Sequence, residues 1–224
     1  MGFTQNTLDF LFENRLHDSR DWFNEHKQDY KRYVIEPLSE LVAELAPVMG
    51  KIDRLIICDP KRISRIYRDA RYARDSVFRD EVWYTFARER PNAWAGHPGY
   101  YFSVGAGGIG YGCGYYCADG GIKEAIRKMI IGDDPVYAEA YKAVKSQRTF
   151  EMYGELYKRE RFPEQPPEKR DWLNRKEYGV SFFTNDPAVM FSDKLTEKVG
   201  RDFKRIAPFY DFCMRAQELA AIKE

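Results

Sequence analysis

Between Gly99 and Cys117 the chain reads GYYFSVGAGGIGYGCGYYC, and this run constrains the fold more than any other. Gly99 to Val104 has the aromatic and β-branched content of a strand. Gly105 to Gly108 reads as a turn, and Ile109 to Cys117 as a return strand punctuated by glycines. Strand, glycine turn and strand predict a β-hairpin. The letters from Gly105 to Gly110 also match G-x-G-x-x-G. A dinucleotide site needs that loop to open a helix at once, so that a pyrophosphate meets the helix N-terminus. Tyr111-Gly112-Cys113-Gly114 follows instead and reads as strand, so the glycines point to a hairpin and not to a cofactor.

Helical periodicity dominates on either side. Thr7 to about Arg15 is expected to be a short helix capped by Thr7, with Leu8, Leu11 and Phe12 on one face. Asp18 or Ser19 can cap a second helix from about Arg20, along which Trp22, Phe23, His26, Tyr30 and Tyr33 recur. Pro37 predicts a kink or a new helix. Leu38, Leu41, Val42, Leu45 and Val48 then form an amphipathic stretch ending at Gly50. Beyond the hairpin, Asp119 is expected to cap a helix over 121–131, and Asp134-Pro135 to start one through about Lys145. Phe150 to Lys169 reads as irregular surface chain, Lys176 to Phe183 as a strand, and Asp186 as the cap of a helix to about Val199. A last helix is expected from Asp202. Val82 to Phe86 suits a strand, and residues 90–98 a loop. Helices at both ends around mainly antiparallel strands predict an α+β fold. With no repeat and no long linker, a single domain over 1–224 is expected.

The most unusual charge pattern lies between Lys61 and Arg79, KRISRIYRDARYARDSVFR. It holds seven basic residues and two acids, in a chain of 36 basic and 35 acidic residues. Arginine presents a planar fork that grips carboxylate or phosphate through paired hydrogen bonds. The arginines at 62, 65, 68, 71 and 74 stand three apart, so on a strand they alternate faces. Ile63, Ile66 and Tyr67 favour a strand at the start of the run, with a turn at Asp75-Ser76. These arginines either bind an anion or tie the helices to the sheet as ion pairs.

Other chemistries have less support. G-x-S-x-G, H-E-x-x-H and the phosphate-binding G-x-x-x-x-G-K-[ST] loop are all absent from the sequence. Cys113 and Cys117 would lie about 13 Å apart along a strand, too far to share a metal, and the three histidines are isolated, so no metal is expected. The net charge of +1 opposes a surface devoted to nucleic acid or membrane. No apolar window reaches the length of a membrane span. The first residues predict neither a signal nor a transit peptide, and four scattered cysteines fit reduced thiols in a cytoplasmic protein.

Several motifs resemble one known family. Thr7-Leu8-x-Phe10-Leu11, Asn14 and Arg20-Asp21-Trp22-Phe23-x-x-His26-Lys27-x-x-Tyr30 resemble the start of domain-of-unknown-function family 2461. The similarity continues through Arg65-Ile66-Tyr67-Arg68-Asp69-Ala70-Arg71-Tyr72, Asp75, Gly99-Tyr100-Tyr101-Phe102, Gly110 to Gly114 and Ile126-Arg127. After Asp75 members usually continue with lysine, a variable residue and proline, whereas this chain has Ser76-Val77-Phe78-Arg79. The resemblance implies a single intracellular domain and supplies no reaction.

The sequence therefore predicts a pocket between the arginine-rich segment and the glycine-rich hairpin, for a phosphorylated or carboxylated small molecule. Arg65, Arg68, Arg71 and Arg79 would hold the anion, with Asp69 and Asp75 orienting them. Trp22 and Tyr101 would line the pocket, and Gly112 and Gly114 would admit the ligand to the backbone. The alternatives are a nucleic-acid or protein-binding module using the basic stretch without catalysis, and a purely structural arginine cluster.

Overall fold

A computed structural model describes residues 2–69, 71, 75–89 and 96–222. It is an α+β protein, with helices packed around a five-stranded antiparallel sheet of order β1-β2-β3-β5-β4. The strands are β1 (Glu81–Phe86), β2 (Pro98–Gly105), β3 (Gly108–Tyr115), β4 (Glu151–Tyr153) and β5 (Gly179–Thr184). The chain packs as two compact units. The first holds residues 1–86, 101–111 and 183–200, and the second 87–100, 112–182 and 201–224. Neither is one continuous segment, because β2, β3 and β5 each begin in one unit and end in the other.

In the first unit, helices α1 (Gln5–His17), α2 (Arg20–Glu25), α3 (Lys27–Tyr30) and α4 (Glu36–Ile52) lead to β1. Thr7 sits inside α1 and does not cap it; Thr4 is the cap, and its N–H donates to Thr7 Oγ1 at 3.1 Å. The reason Thr7 is fully buried lies 26 residues away. Pro37 has no N–H to offer the carbonyl of Tyr33, four residues earlier. The helix loosens into a π turn over Lys31–Ile35, and Thr7 Oγ1 donates to that carbonyl at 2.7 Å. Thr7→Val keeps the shape and leaves the Tyr33 oxygen without its donor. It is expected to cost about 1–2 kcal/mol in urea denaturation, and an unchanged midpoint would show that the bond is dispensable. The amphipathic stretch after Pro37 is α4, whose Leu38, Leu41, Val42, Leu45 and Met49 are core residues.

The second unit is built on α5 (Gly120–Ile131), α6 (Pro135–Lys145), α7 (Pro167–Leu173) and α10 (Ala207–Ala221). Asp119 and Asp134 cap α5 and α6 as expected, accepting from the N–H groups of Ile122 and Val136. Helix α10 packs on α5 and α6. Its Phe209 and Phe212 close on Trp172 of α7, each ring pair 5.8 Å between centroids.

Three expectations need correction. The irregular chain at 150–169 contains β4, and α7 starts at its prolines. The helix expected from Asp186 to Val199 is two helices, α8 (Pro187–Met190) and α9 (Leu195–Arg205). Asp202 lies buried inside α9 and starts no helix. The loop expected at 90–98 falls mostly outside the described residues.

Candidate functional site

The basic stretch forms a short two-stranded ribbon in the first unit. Tyr67 and Phe78 make an antiparallel bridge. The N–H of Arg68 donates to Val77 O at 2.9 Å, and that of Arg79 to Ile66 O at 2.8 Å. Ile66 and Phe78 are the buried residues of this pair, and Phe78 packs 5.2 Å from the Phe23 ring. β-Branched and aromatic side chains thus give the ribbon its apolar face, which leaves arginines to its other positions.

A second anchor was not visible in the sequence. Asp18 does not cap α2; Ser19 does, accepting from Trp22 N–H. Asp18 ends α1 in the left-handed region at φ 44°, a conformation that a short polar side chain tolerates. Its carboxylate reaches across to the ribbon and accepts from Val77 N–H at 2.9 Å, Phe78 N–H at 3.1 Å and Ser76 Oγ at 3.1 Å. One αL residue therefore holds the strand that carries Arg79.

Beside the ribbon lies a cleft of about 360 Å³ within the same unit, a volume at the small end of ligand sites. Arg68 and Arg79 line it, followed by Asp80, Glu81 and Trp83 at the start of β1. Gly105, Gly107 and Gly108 of the hairpin turn and Phe183 of β5 also line it. Phe183 is 65% exposed, so a large apolar ring faces solvent there.

The two cleft arginines differ in how they are held. Arg68 donates through Nε to Phe78 O and through Nη2 to Asp80 Oδ2, both at 2.5 Å, and its side chain is only 31% exposed. Asp80 also takes Arg15 Nε at 2.9 Å, so its charge is balanced from two sides. Arg79 donates only Nε, to Tyr67 O at 3.1 Å, and stacks its guanidinium 4.7 Å from the Trp83 ring centre. Among the described residues its terminal nitrogens have no partner, and a guanidinium fixed on an indole keeps those donors oriented.

Of the residues expected to form the site, Arg68 and Arg79 alone are among those lining the cleft. Arg71 is 78% exposed and folds back on Asp69, with Nη2 2.7 Å from Oδ2. The hydrogen bonds from the Arg71 side chain, then from its backbone N–H, hold the Asp69 carboxyl well below the usual carboxylate range. Arg65 and Asp75 are exposed. Trp22, half-buried on α2, is stacked between His17 at 5.0 Å and His26 at 4.1 Å. Tyr101 is half-buried on β2. Gly112 and Gly114 belong to the second unit. The glycines at the cleft are those of the turn itself. Trp83 and Glu81 had a usable signal, since Val82, Tyr84 and Phe86 are the buried alternation of β1 and leave 81 and 83 facing the other way.

The comparison with known families matches residues 6–212 to a family described as "Conserved hypothetical protein (DUF2461)". The chain belongs to this family. Membership covers the ribbon, the hairpin and both units, and it carries no reaction with it. No curated protein matches the chain significantly. No described helix is long and apolar enough to cross a membrane.

Proposed function

We propose that the first unit binds an anionic small molecule, phosphorylated or carboxylated, in the cleft beside the ribbon. One observation carries the reading: Arg79 presents oriented terminal guanidinium donors, without a partner among the described residues, to a cleft whose other described cation, Arg68, is already committed to Phe78 O and Asp80. Trp83 and Phe183 add apolar surface for the body of the ligand. Glu81, an exposed carboxylate on the lining, favours a ligand that also carries a hydroxyl or amine donor.

The purely structural reading is stronger at Arg68, which is bound to Phe78 O and Asp80, than at Arg79, which donates only Nε to Tyr67 O and rests on Trp83. The nucleic-acid reading is weakened by the acids that neutralise the stretch, Asp80 on Arg68 and Asp69 on Arg71.

Thermal melts against nucleotides, sugar phosphates, dicarboxylates and short single-stranded oligonucleotides test the proposal. A ligand at a hundred times its dissociation constant adds about 2.7 kcal/mol. The expected result is a raised midpoint with a small anion, reduced in Arg79→Gln while the unliganded midpoint is kept. A shift with oligonucleotides alone, or one undiminished in Arg79→Gln, would remove this reading.

A further inference from the structure

A cluster within the second unit holds donors that nothing described there satisfies. Arg127 lies on α5, one turn beyond Lys123. Its Nη2 donates to Tyr157 Oη at 3.1 Å, and its guanidinium carbon sits 5.6 Å from the Tyr157 ring centre and 5.9 Å from that of Phe162. Arg161 stacks on the same Tyr157 ring at 3.7 Å. Tyr178, which leads into β5, has no exposed surface. Its Oη and the Arg127 Nε are both buried without a hydrogen-bond partner among the described residues. The two side chains are nonetheless close. Burial pushes the Tyr178 phenol up to about 12, and Arg127 opposes that rise. At neutral pH the phenol is thus neutral: its oxygen faces the Arg127 guanidinium, and its own O–H, like the Arg127 Nε–H, has no acceptor among the described residues.

Neighbouring cations are each paired with a carboxylate, although Arg170 Nε and Arg175 Nε are, like Arg127 Nε, buried without a partner among the described residues. Lys123 pairs with Glu177 at 3.1 Å and Arg170 with Glu160 at 3.2 Å. Arg175 pairs with Asp171 at 2.9 Å and also donates to the carbonyls of Met152 and Gly154. Among the described residues neither Arg127 nor Arg161 has a carboxylate. A part-buried charge without a counter-charge is costly, and buried polar groups normally find a partner. Exposure falls from Arg161, which is open to solvent, through half-buried Tyr157, Phe162 and Arg127 to buried Tyr178. The unmet donors are thus at the inner end of the cluster.

We infer that Arg127, Tyr178 and Arg161, arranged around Tyr157, form a second binding site, which takes the oxyanion group of a small ligand, a carboxylate or a phosphate. The anion accepts from Arg127 Nε and Tyr178 Oη and balances both guanidinium charges. The site is independent of the cleft in the first unit and does not rest on that reading.

Calorimetric titration of inorganic phosphate, and in parallel of acetate, into the full chain tests the assignment. The chain is compared with its Arg79→Gln, Arg127→Gln and Tyr178→Phe variants. Saturable binding of at least one anion is expected in the parent, and whichever binds names the class. Affinity should be kept in Arg79→Gln, fall at least tenfold in Arg127→Gln and fall about threefold to tenfold in Tyr178→Phe. Tyr178→Phe should melt no lower than the parent without anion, because it loses only an unpartnered hydroxyl. It therefore carries the test if Arg127→Gln does not fold. Absence of saturable binding, unchanged affinity in Tyr178→Phe, or loss of binding in Arg79→Gln overturns the assignment.

Discussion

Asp18→Ala is expected to lower stability by about 3 kcal/mol and to release the ribbon from the helices. The carboxylate accepts from two backbone N–H groups and a hydroxyl, and bonds to a charged acceptor contribute about 1.5–3 kcal/mol each. Water recovers part of that loss, because the site is only part-buried. Alanine adds a further cost of about 1–2 kcal/mol at φ 44°, where its Cβ crowds the following carbonyl. Asp18→Asn, which tolerates the same backbone and keeps one oxygen, should lose about half as much. Urea denaturation gives the totals. Amide exchange at Val77 and Phe78 gives the location, and both should exchange faster in the alanine variant. A loss below about 0.5 kcal/mol, the level of an ordinary surface change, would mean that Tyr67, Phe78 and Phe23 hold the ribbon without Asp18. The change should also weaken any ligand of the cleft, because Asp18 binds the strand that ends in Arg79.

How far the sequence was legible follows from the range of each interaction. The hairpin from Pro98 to Tyr115 and the caps at Asp119 and Asp134 are local, set by residues within a turn of one another. Periodicity and turn chemistry find such features. Thr7 looked like a cap because its value is non-local: its hydroxyl serves a carbonyl that Pro37 has left without a donor. Of the two caps offered for α2, Ser19 serves, and the role of Asp18 was hidden for the same reason, since its partners lie about 60 residues on. Strand β4 has three residues, too few to show an alternation. At the cleft, the arginine-rich composition marked a segment of which Arg68 and Arg79 line the cleft, and it did not separate them from Arg65 and Arg71. Arg71 meets Asp69 two residues away, and Arg65 faces solvent. Arg79 counts because Trp83, four residues later, sets its plane. Arg127 carried no compositional signal at all. Its environment is defined by Tyr157, Phe162 and Tyr178, which lie 30 or more residues away in sequence.

Two adjacent glycines of the turn should respond in opposite ways. Gly108 has φ +142°, which L side chains rarely adopt, and a Cβ there would collide with the carbonyl oxygen of Thr184. That oxygen is backbone in the paired strand β5, so it cannot rotate aside. Strain of this kind costs about 1–3 kcal/mol before the collision is counted, so Gly108→Ala is expected to lose about 3 kcal/mol or more. Gly107 has no such φ, and a Cβ there meets nothing within 4 Å. It faces the open side of the cleft. Gly107→Leu should therefore leave the unfolding midpoint within about 0.5 kcal/mol of the parent, while its side chain occupies space that a ligand of Arg79 needs. The contrast separates fold from function at neighbouring positions. If Gly107→Leu keeps both its stability and the full ligand-induced rise in melting midpoint, the ligand does not enter beside the turn. If Gly108→Ala is as stable as the parent, the β3–β5 pairing is looser at this end than the contact with Thr184 implies.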